Sequence, residues 1–383
     1  MKLYKRVPIR LVSGKGSRVK DAEGREYIDV LAGIAVNSLG HCHPAVVEAV
    51  REQAGRLIHC SNFYATEPQA KLAELLVTQS GLGKIFFCNS GAEAAEGALK
   101  LARKWGSKNG RGGGVITMDG SFHGRTLATI MATGQPKYRD GFDPLPSGFQ
   151  TVPFNDLEAV KKAVTKDTCA VMVEPVQGEG GVRPASREYL EGLRRFCDEA
   201  GILLIFDEVQ CGMGRTGFLF AYQGYGVTPD IVTLAKALGG GVPIGAVLAR
   251  ESVAEVFQPG NHGTTFGGNP LATAAARAAV TALIEEKLPE RAREMGDYLV
   301  SSLQEATRGM EVIADIRGRG LMVGVELTID GKPVVEKMLE KGVLGNCTAG
   351  KVMRFVPPLN ISKADLDEVV RVFVESLRET IDG

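Results

Sequence analysis

Between about Gly81 and Ala249, short apolar runs alternate with helical patterns. The runs read "KIFFCN", "GGVITMDG", "CAVMVEP", "ILLIFDE", "DIVTLAK" and "GAVLAR", rich in Val and Ile and bounded by Gly, Pro or Asp. Such runs suit strands buried on both faces of a parallel sheet. The stretches between them supply the helices of a doubly wound α/β architecture. The two ends of the chain read differently. "SRVKDAEGREYIDVLAG" places the turn "DAEG" between two strand-like pieces. From about Asp315, "GLMVGVEL" and "VMRFVPP" read as strands before a final helix, Lys363 to Thr380. The expected organisation is a large domain over 51–275, with 1–50 and 276–383 combining into a smaller α+β domain.

The sharpest helix signal is "NSGAEAAEGALKLARKW", Asn89 to Trp105, which follows "KIFFC". Ser90 and Glu93 have capping-box spacing, and Ala95, Leu99, Ala102 and Trp105 recur on one face. The first amides, near Gly91 and Ala92, then lie at the carboxyl end of a strand, where free N–H groups and the helix dipole favour a phosphate. A capped helix needs no ligand, so the phosphate reading depends on its surroundings.

Two further strand ends supply them. "ILLIFDEVQCGMGRTG" runs from an apolar strand into Asp207 and Glu208. A carboxylate there is poorly solvated and persists as an anion only beside a cation. If the chain stays extended, Asp207 and Val209 face one side and can touch one flat ligand. Glu208 reads equally well as a turn acid capping the next segment. In "PDIVTLAKALGGGVPIG", Lys236 ends another buried strand. Burial lowers a lysine's pKa, and the neutral amine is the form that condenses with an aldehyde. One cofactor uses all three features: pyridoxal phosphate, with its aldehyde on lysine, its pyridine nitrogen on a carboxylate and its phosphate on a helix N-terminus. The glycines Gly239 to Gly241 let the backbone turn beside it.

Composition narrows the partners. In 383 residues, Lys+Arg and Asp+Glu are equal at 45 each, with 44% hydrophobic and 23% charged residues, which recommends neither nucleic acid nor membrane. Seven cysteines lie scattered without zinc spacing, and "MKLYKRVPIRLVSGKG" has no apolar signal region, so the expected address is the cytoplasm. "GNCTAGKV" has P-loop spacing, but Val352 replaces the hydroxyl that holds magnesium. "GHCHP" crowds its histidines and cysteine too closely for a usual metal set. "RGRGLMVG" precedes a strand, not a helix, against a dinucleotide site. No metal is expected.

The ordered motifs "GIAVNSLGHCHP", "NSGAEAAEGALKLAR", "FHGRT", "EPVQGEGG", "FDEVQCGMGRTG", "TLAKALGGGVPIG", "HGTTFGGNP" and "RFVPPLN" resemble the class III pyridoxal-phosphate aminotransferases, most of all the acetylornithine aminotransferases. The resemblance implies the fold type I architecture of these transferases, with a mainly parallel seven-stranded sheet, a small second domain and a homodimer whose active sites lie at the interface. It implies Lys236 as the Schiff-base lysine and Asp207 as the pyridinium partner. Ser90, Gly91 and Ala92 would hold the phosphate, joined by Thr265 from the neighbouring subunit. Phe122 and Val209 would face the two sides of the ring, and Gln210 its hydroxyl.

The same resemblance implies that Arg125 and Thr264 hold the acylated amino-acid end of the donor, and that Arg354 grips the α-carboxylate of glutamate and 2-oxoglutarate. Glu179 would pair with Arg354 until 2-oxoglutarate displaces it. A planar guanidinium suits a carboxylate, although Arg125 and Arg354 also read as surface ion pairs. Ile34 stands near the position where ornithine aminotransferases carry a tyrosine, which favours an N-acylated donor. The expected reaction is transfer of the δ-amino group of N2-acetylornithine to 2-oxoglutarate, giving N-acetylglutamate 5-semialdehyde and glutamate, as in arginine biosynthesis. Alternatives are ornithine, succinylornithine, 4-aminobutyrate, diaminopimelate or lysine-pathway donors, a glutamate-semialdehyde-type aminomutase, and a non-catalytic cofactor-binding protein. A donor on an acidic carrier would call for a basic patch, of which the balanced charge gives no sign.

Overall fold

The computed structural model describes residues 1–382. Its centre is a seven-stranded sheet built from the apolar runs: β1 (Lys84–Cys88), β2 (Gly114–Met118), β3 (Phe149–Val152), β4 (Thr168–Val173), β5 (Leu203–Asp207), β6 (Ile231–Leu234) and β7 (Gly245–Ala249). Their order across the sheet is β1-β7-β6-β5-β4-β2-β3. Every residue of β4, β5, β6 and β7 is buried, as strands covered on both faces require.

Two details depart from the sequence pattern. β3, in "SGFQTVPFN", adds an edge strand beside β2 that the apolar runs do not mark. β7 runs antiparallel to both β6 and β1, while the other neighbouring pairs are parallel. The sheet is therefore mixed and mostly parallel. The carboxyl ends of β1, β5 and β6 share one edge of the sheet, where ligands of such folds collect.

The terminal segments pair with each other. Arg18–Asp21 and Glu26–Asp29 form an antiparallel pair around the expected turn, and Val343–Leu344 lies parallel beside Ile28 and Asp29. A second sheet takes the order Ile313–Arg319, Met322–Leu327, Val352–Phe355, Asn346–Thr348. The last helix, Lys363–Asp382, buries Leu366, Val369, Val370, Phe373 and Leu377 at helical spacing, and Phe373 meets Phe355 edge to face at 5.7 Å.

Arg215 joins the three regions. Its guanidinium, fully buried in the loop beyond β5, donates to Leu321 O (2.8 Å), Pro357 O (2.6 Å) and Ser38 Oγ (3.2 Å). No carboxylate pairs with it among the described residues, and burial lowers its pKa to about 9.

Candidate active site

The helix Gly91–Lys108 begins directly after β1. Ser90 Oγ accepts the amide of Glu93, as the spacing predicts, but the Glu93 carboxylate reaches one residue further back than a capping box would, to Asn89 N and Nδ2. The Gly91 and Ala92 amides are among the first four of the helix, which have no acceptor one turn back. A methyl at Gly91 would come within 2.8 Å of Val209 Cγ1 and 3.6 Å of the Ala235 side chain. Glycine here lets the helix start abut the ends of β5 and β6.

At the end of β5, Asp207 is buried and has three hydrogen-bond partners: His123 Nδ1 at 2.7 Å, Thr233 Oγ1 at 3.1 Å and the Val209 amide at 3.1 Å. The last contact turns the chain sharply. Asp207 and Val209 thus reach the same cleft through a turn, not through strand alternation. Burial disfavours the imidazolium of His123, but the hydrogen bond and charge of Asp207 outweigh it and raise its pKa. Glu208 points the other way and accepts the amides of Ala221 and Tyr222, both at 2.7 Å. It caps the next turn.

Beyond β6, Lys236 opens a short 3-10 turn in a left-handed conformation, φ +46°. Such a conformation costs a non-glycine residue about 1–3 kcal/mol and tends to mark functional sites. The side chain keeps some surface because it opens on the cleft, yet protein surrounds it otherwise, and burial lowers its pKa against the opposing charges of Glu179, Asp207 and Glu174. Gly241, at φ +113°, ends the glycine run on the cleft wall, 3.3 Å from Asn37 Oδ1 if given a methyl.

These ends enclose a cleft of about 430 Å³. Ten of the residues singled out from sequence line it: Ser90, Gly91, Ala92, Phe122, Arg125, Asp207, Val209, Gln210, Lys236 and Gly241. Arg354 and Glu179 sit behind it. Arg354 is buried and donates to Glu179 Oε1 at 2.6 Å, to Gln210 Oε1 at 3.0 Å and to Asn346 Oδ1 at 3.2 Å, so Gln210 links the pair to the cleft. Burial alone would raise Glu179, but the charge and hydrogen bond of Arg354 hold its carboxyl below the usual range. One Arg354 nitrogen, Nη2, is buried without a partner among the described residues.

Thr264 approaches from the side, its Oγ1 3.2 Å from Asn89 Nδ2, whereas Thr265 is exposed and outside the cleft lining. Arg125 makes no ion pair among the described residues. Its guanidinium stacks 3.9 Å over the Tyr138 ring, which meets Phe122 edge to face at 5.7 Å. Ile34 does not line the cleft, although Val36 does. It lies in a run of four left-handed residues, Ala32 to Ala35.

His123, Glu174, Thr233, Asn89 and Tyr138 were not singled out from sequence. His123 and Glu174 stand inside quoted motifs, but their partners are remote in sequence and only the fold brings them together. The donor set fits pyridoxal phosphate: a buried amine at one strand end, a buried carboxylate at another, and a helix start cleared by glycine for a phosphate. Among the described residues, no cluster could hold a metal ion, and no helix is long and apolar enough to cross a membrane.

The fold and cleft define an aminotransferase: residues 2–377 match the family model "Aminotransferase class-III", and the chain belongs to that family. It is 55% identical to the acetylornithine aminotransferase of Methanocaldococcus jannaschii over 99% of this chain and 96% of that one. Two solved relatives are similar in structure. The ornithine aminotransferase of Toxoplasma gondii is 38% identical, with a TM-score of 0.96 over 100% of this chain and 93% of that one. Crystals of that enzyme grown with oxidised glutathione reveal partial occupancy of pyridoxal phosphate at its active site. The N-acetylornithine aminotransferase of Stenotrophomonas maltophilia is 40% identical, with a TM-score of 0.87 over 100% of this chain and 98% of that one.

Proposed function

We propose that this aminotransferase moves the δ-amino group of N2-acetylornithine to 2-oxoglutarate, with pyridoxal phosphate as cofactor. The observation that carries the reading is the buried Arg354, paired with Glu179 beside the cleft and keeping one nitrogen unpartnered. That arrangement suits a site serving two substrates in turn. With Glu179 in place, the positive charge is masked and an amine without a nearby carboxylate is accepted. When Glu179 moves aside, Arg354 offers a bidentate grip to the α-carboxylate of 2-oxoglutarate or glutamate.

Bound pyridoxal phosphate supplies an electron sink for the carbanion formed when the substrate carbon loses its proton. Lys236 would hold the cofactor through its amine, and its free amine would serve as the general base that moves the proton of the substrate carbon. Its depressed pKa favours the neutral, basic form. Asp207, which His123 and Thr233 orient, would keep the pyridine nitrogen protonated. Ser90, Gly91 and Ala92 would hold the phosphate, Phe122 and Val209 would face the ring, and Gln210 would meet its hydroxyl. Arg125 and Thr264 receive the acetylated end of the donor.

A homodimer belongs to this reading, with Thr265 reaching the phosphate of the neighbouring subunit. Its exposure beside Phe266, 60% exposed, supports that role. We read 1–50 and 276–383 as one small domain around 51–275, supported by the pairing of Val343–Leu344 with Ile28–Asp29, and we place the enzyme in the cytoplasm. Initial rates with both substrates varied should give parallel double-reciprocal lines, the pattern of alternating half-reactions. Intersecting lines, or turnover without 2-oxoglutarate, would contradict it, the latter pointing to an aminomutase.

A further inference from the structure

Glu174 follows β4 and is buried on the cleft wall. Its two carboxylate oxygens serve two different loops. Oε2 accepts the amide of Phe122 at 3.0 Å, and Oε1 accepts the amide of Gly178 at 3.3 Å. Phe122 forms part of the cleft lining. Gly178 directly precedes Glu179 and lies so close to Gln210 that a methyl there would fall 2.1 Å from Gln210 Oε1. One side chain therefore fixes both the ring wall and the base of the segment that carries the partner of Arg354.

A buried carboxylate is costly unless its site requires it. Here it satisfies two backbone donors that face each other across the gap between loops, which a single neutral acceptor does less well. The charged groups around it are His123, which stabilises its anion, and Asp207, which opposes it. Lys236 also lies within reach of its field.

We propose that Glu174 is a positioning residue of the transamination, holding the Phe122 wall and the Glu179 segment in fixed relation so that Glu179 can leave Arg354 and return without disturbing the ring wall. The proposal rests on the roles given above to Phe122, Glu179 and Arg354. Glu174→Gln preserves shape but replaces one acceptor oxygen with a donor that faces an amide. Glu174→Asp keeps both acceptors on a shorter stem.

The experiment compares wild type, Glu174→Gln and Glu174→Asp, each loaded with pyridoxal phosphate, by hydrogen exchange and by separate single-turnover half-reactions. In Glu174→Gln at least one of the Phe122 and Gly178 amides should exchange about tenfold faster, as loss of one buried hydrogen bond implies. Amides of β5 should exchange as in wild type. The 2-oxoglutarate half-reaction should lose about tenfold more kcat/KM than the N2-acetylornithine half-reaction, and Glu174→Asp should recover part of that difference. Unchanged exchange at both amides overturns the proposal, as does an equal loss in both half-reactions accompanied by faster exchange throughout β5. A wild-type enzyme inert toward N2-acetylornithine would instead overturn the substrate assignment. The two amides would still report on Glu174 in that event.

Discussion

The His123 ring lies with Nδ1 2.7 Å from Asp207 Oδ2, and both side chains are buried beneath the cleft. An imidazolium there stabilises the Asp207 anion, and that anion is what keeps a pyridine nitrogen protonated. His123→Asn should therefore lower kcat by about tenfold, the worth of one hydrogen bond to a charged group, with KM for N2-acetylornithine little changed. Asp207→Ala should cost kcat about 100-fold or more, comparable to losing a preorganised electrostatic partner. Steady-state kinetics check both, and an equal loss in the two variants would contradict the order.

Freeing Arg354 should shift substrate choice. Glu179→Gln removes the charge that masks the guanidinium while leaving an amide of similar size. KM for 2-oxoglutarate should fall, and glutamate should become the better amino donor relative to N2-acetylornithine by about tenfold, the worth of one charge-assisted contact. Competition between the two donors measures this ratio. A ratio equal to wild type would mean that Glu179 does not gate the arginine.

Arg215 should matter for stability rather than chemistry. Arg215→Met leaves Leu321 O, Pro357 O and Ser38 Oγ without their donor. Each unsatisfied buried group costs about 1–3 kcal/mol, so the total loss should be about 3 kcal/mol or more. Urea unfolding of the cofactor-free protein reports it; a loss within about 0.5 kcal/mol, the ordinary range for a surface change, would argue against a joint between the three regions.

Two buried carboxyl groups should contribute less stability as pH rises. Burial pushes Glu208 to about 8 and Glu174 to about 7, each above the carboxylate value of 4.5. The folded chain thus binds these protons more tightly than the unfolded chain. Their contribution is complete below about pH 4.5 and is lost as pH rises through 7 and 8. The raised pKa of His123 acts in the same direction. The lowered pKa values of Lys236 and Arg215 act in the opposite direction, so the test is the difference between variants: relative to wild type, the thermal midpoint of cofactor-free Glu208→Gln should gain between about pH 5 and 9. A difference that is constant over this interval would contradict the assignment.

The large sheet was legible because burial on both faces makes continuous apolar runs, and six of its seven strands announce themselves in that way. β3 does not, since "FQTV" is short and half exposed at the sheet edge. The direction of β7 is a matter of reach: residues 235–244 between β6 and β7 are fewer than the roughly dozen that a parallel crossover takes, so the link length carries a signal that apolar pattern does not. In the cleft, Lys236, Asp207 and the start of the helix at Gly91 were legible because each ends a buried strand or follows one. The supporting groups were not. His123 and Asp207 are 84 residues apart and Glu174 serves amides on two separate loops, relations that local spacing does not encode. Glu208 shows the converse, a conspicuous acid beside Asp207 that only caps a turn.

The most direct measurement is the visible absorbance of the purified protein with pyridoxal phosphate, followed through one cycle of substrates. Wild type should show a lysine-bound band that N2-acetylornithine bleaches in a single turnover and 2-oxoglutarate restores, and Lys236→Ala should lack that band. A band that persists in Lys236→Ala, or one that N2-acetylornithine leaves untouched while free ornithine bleaches it, would contradict the account.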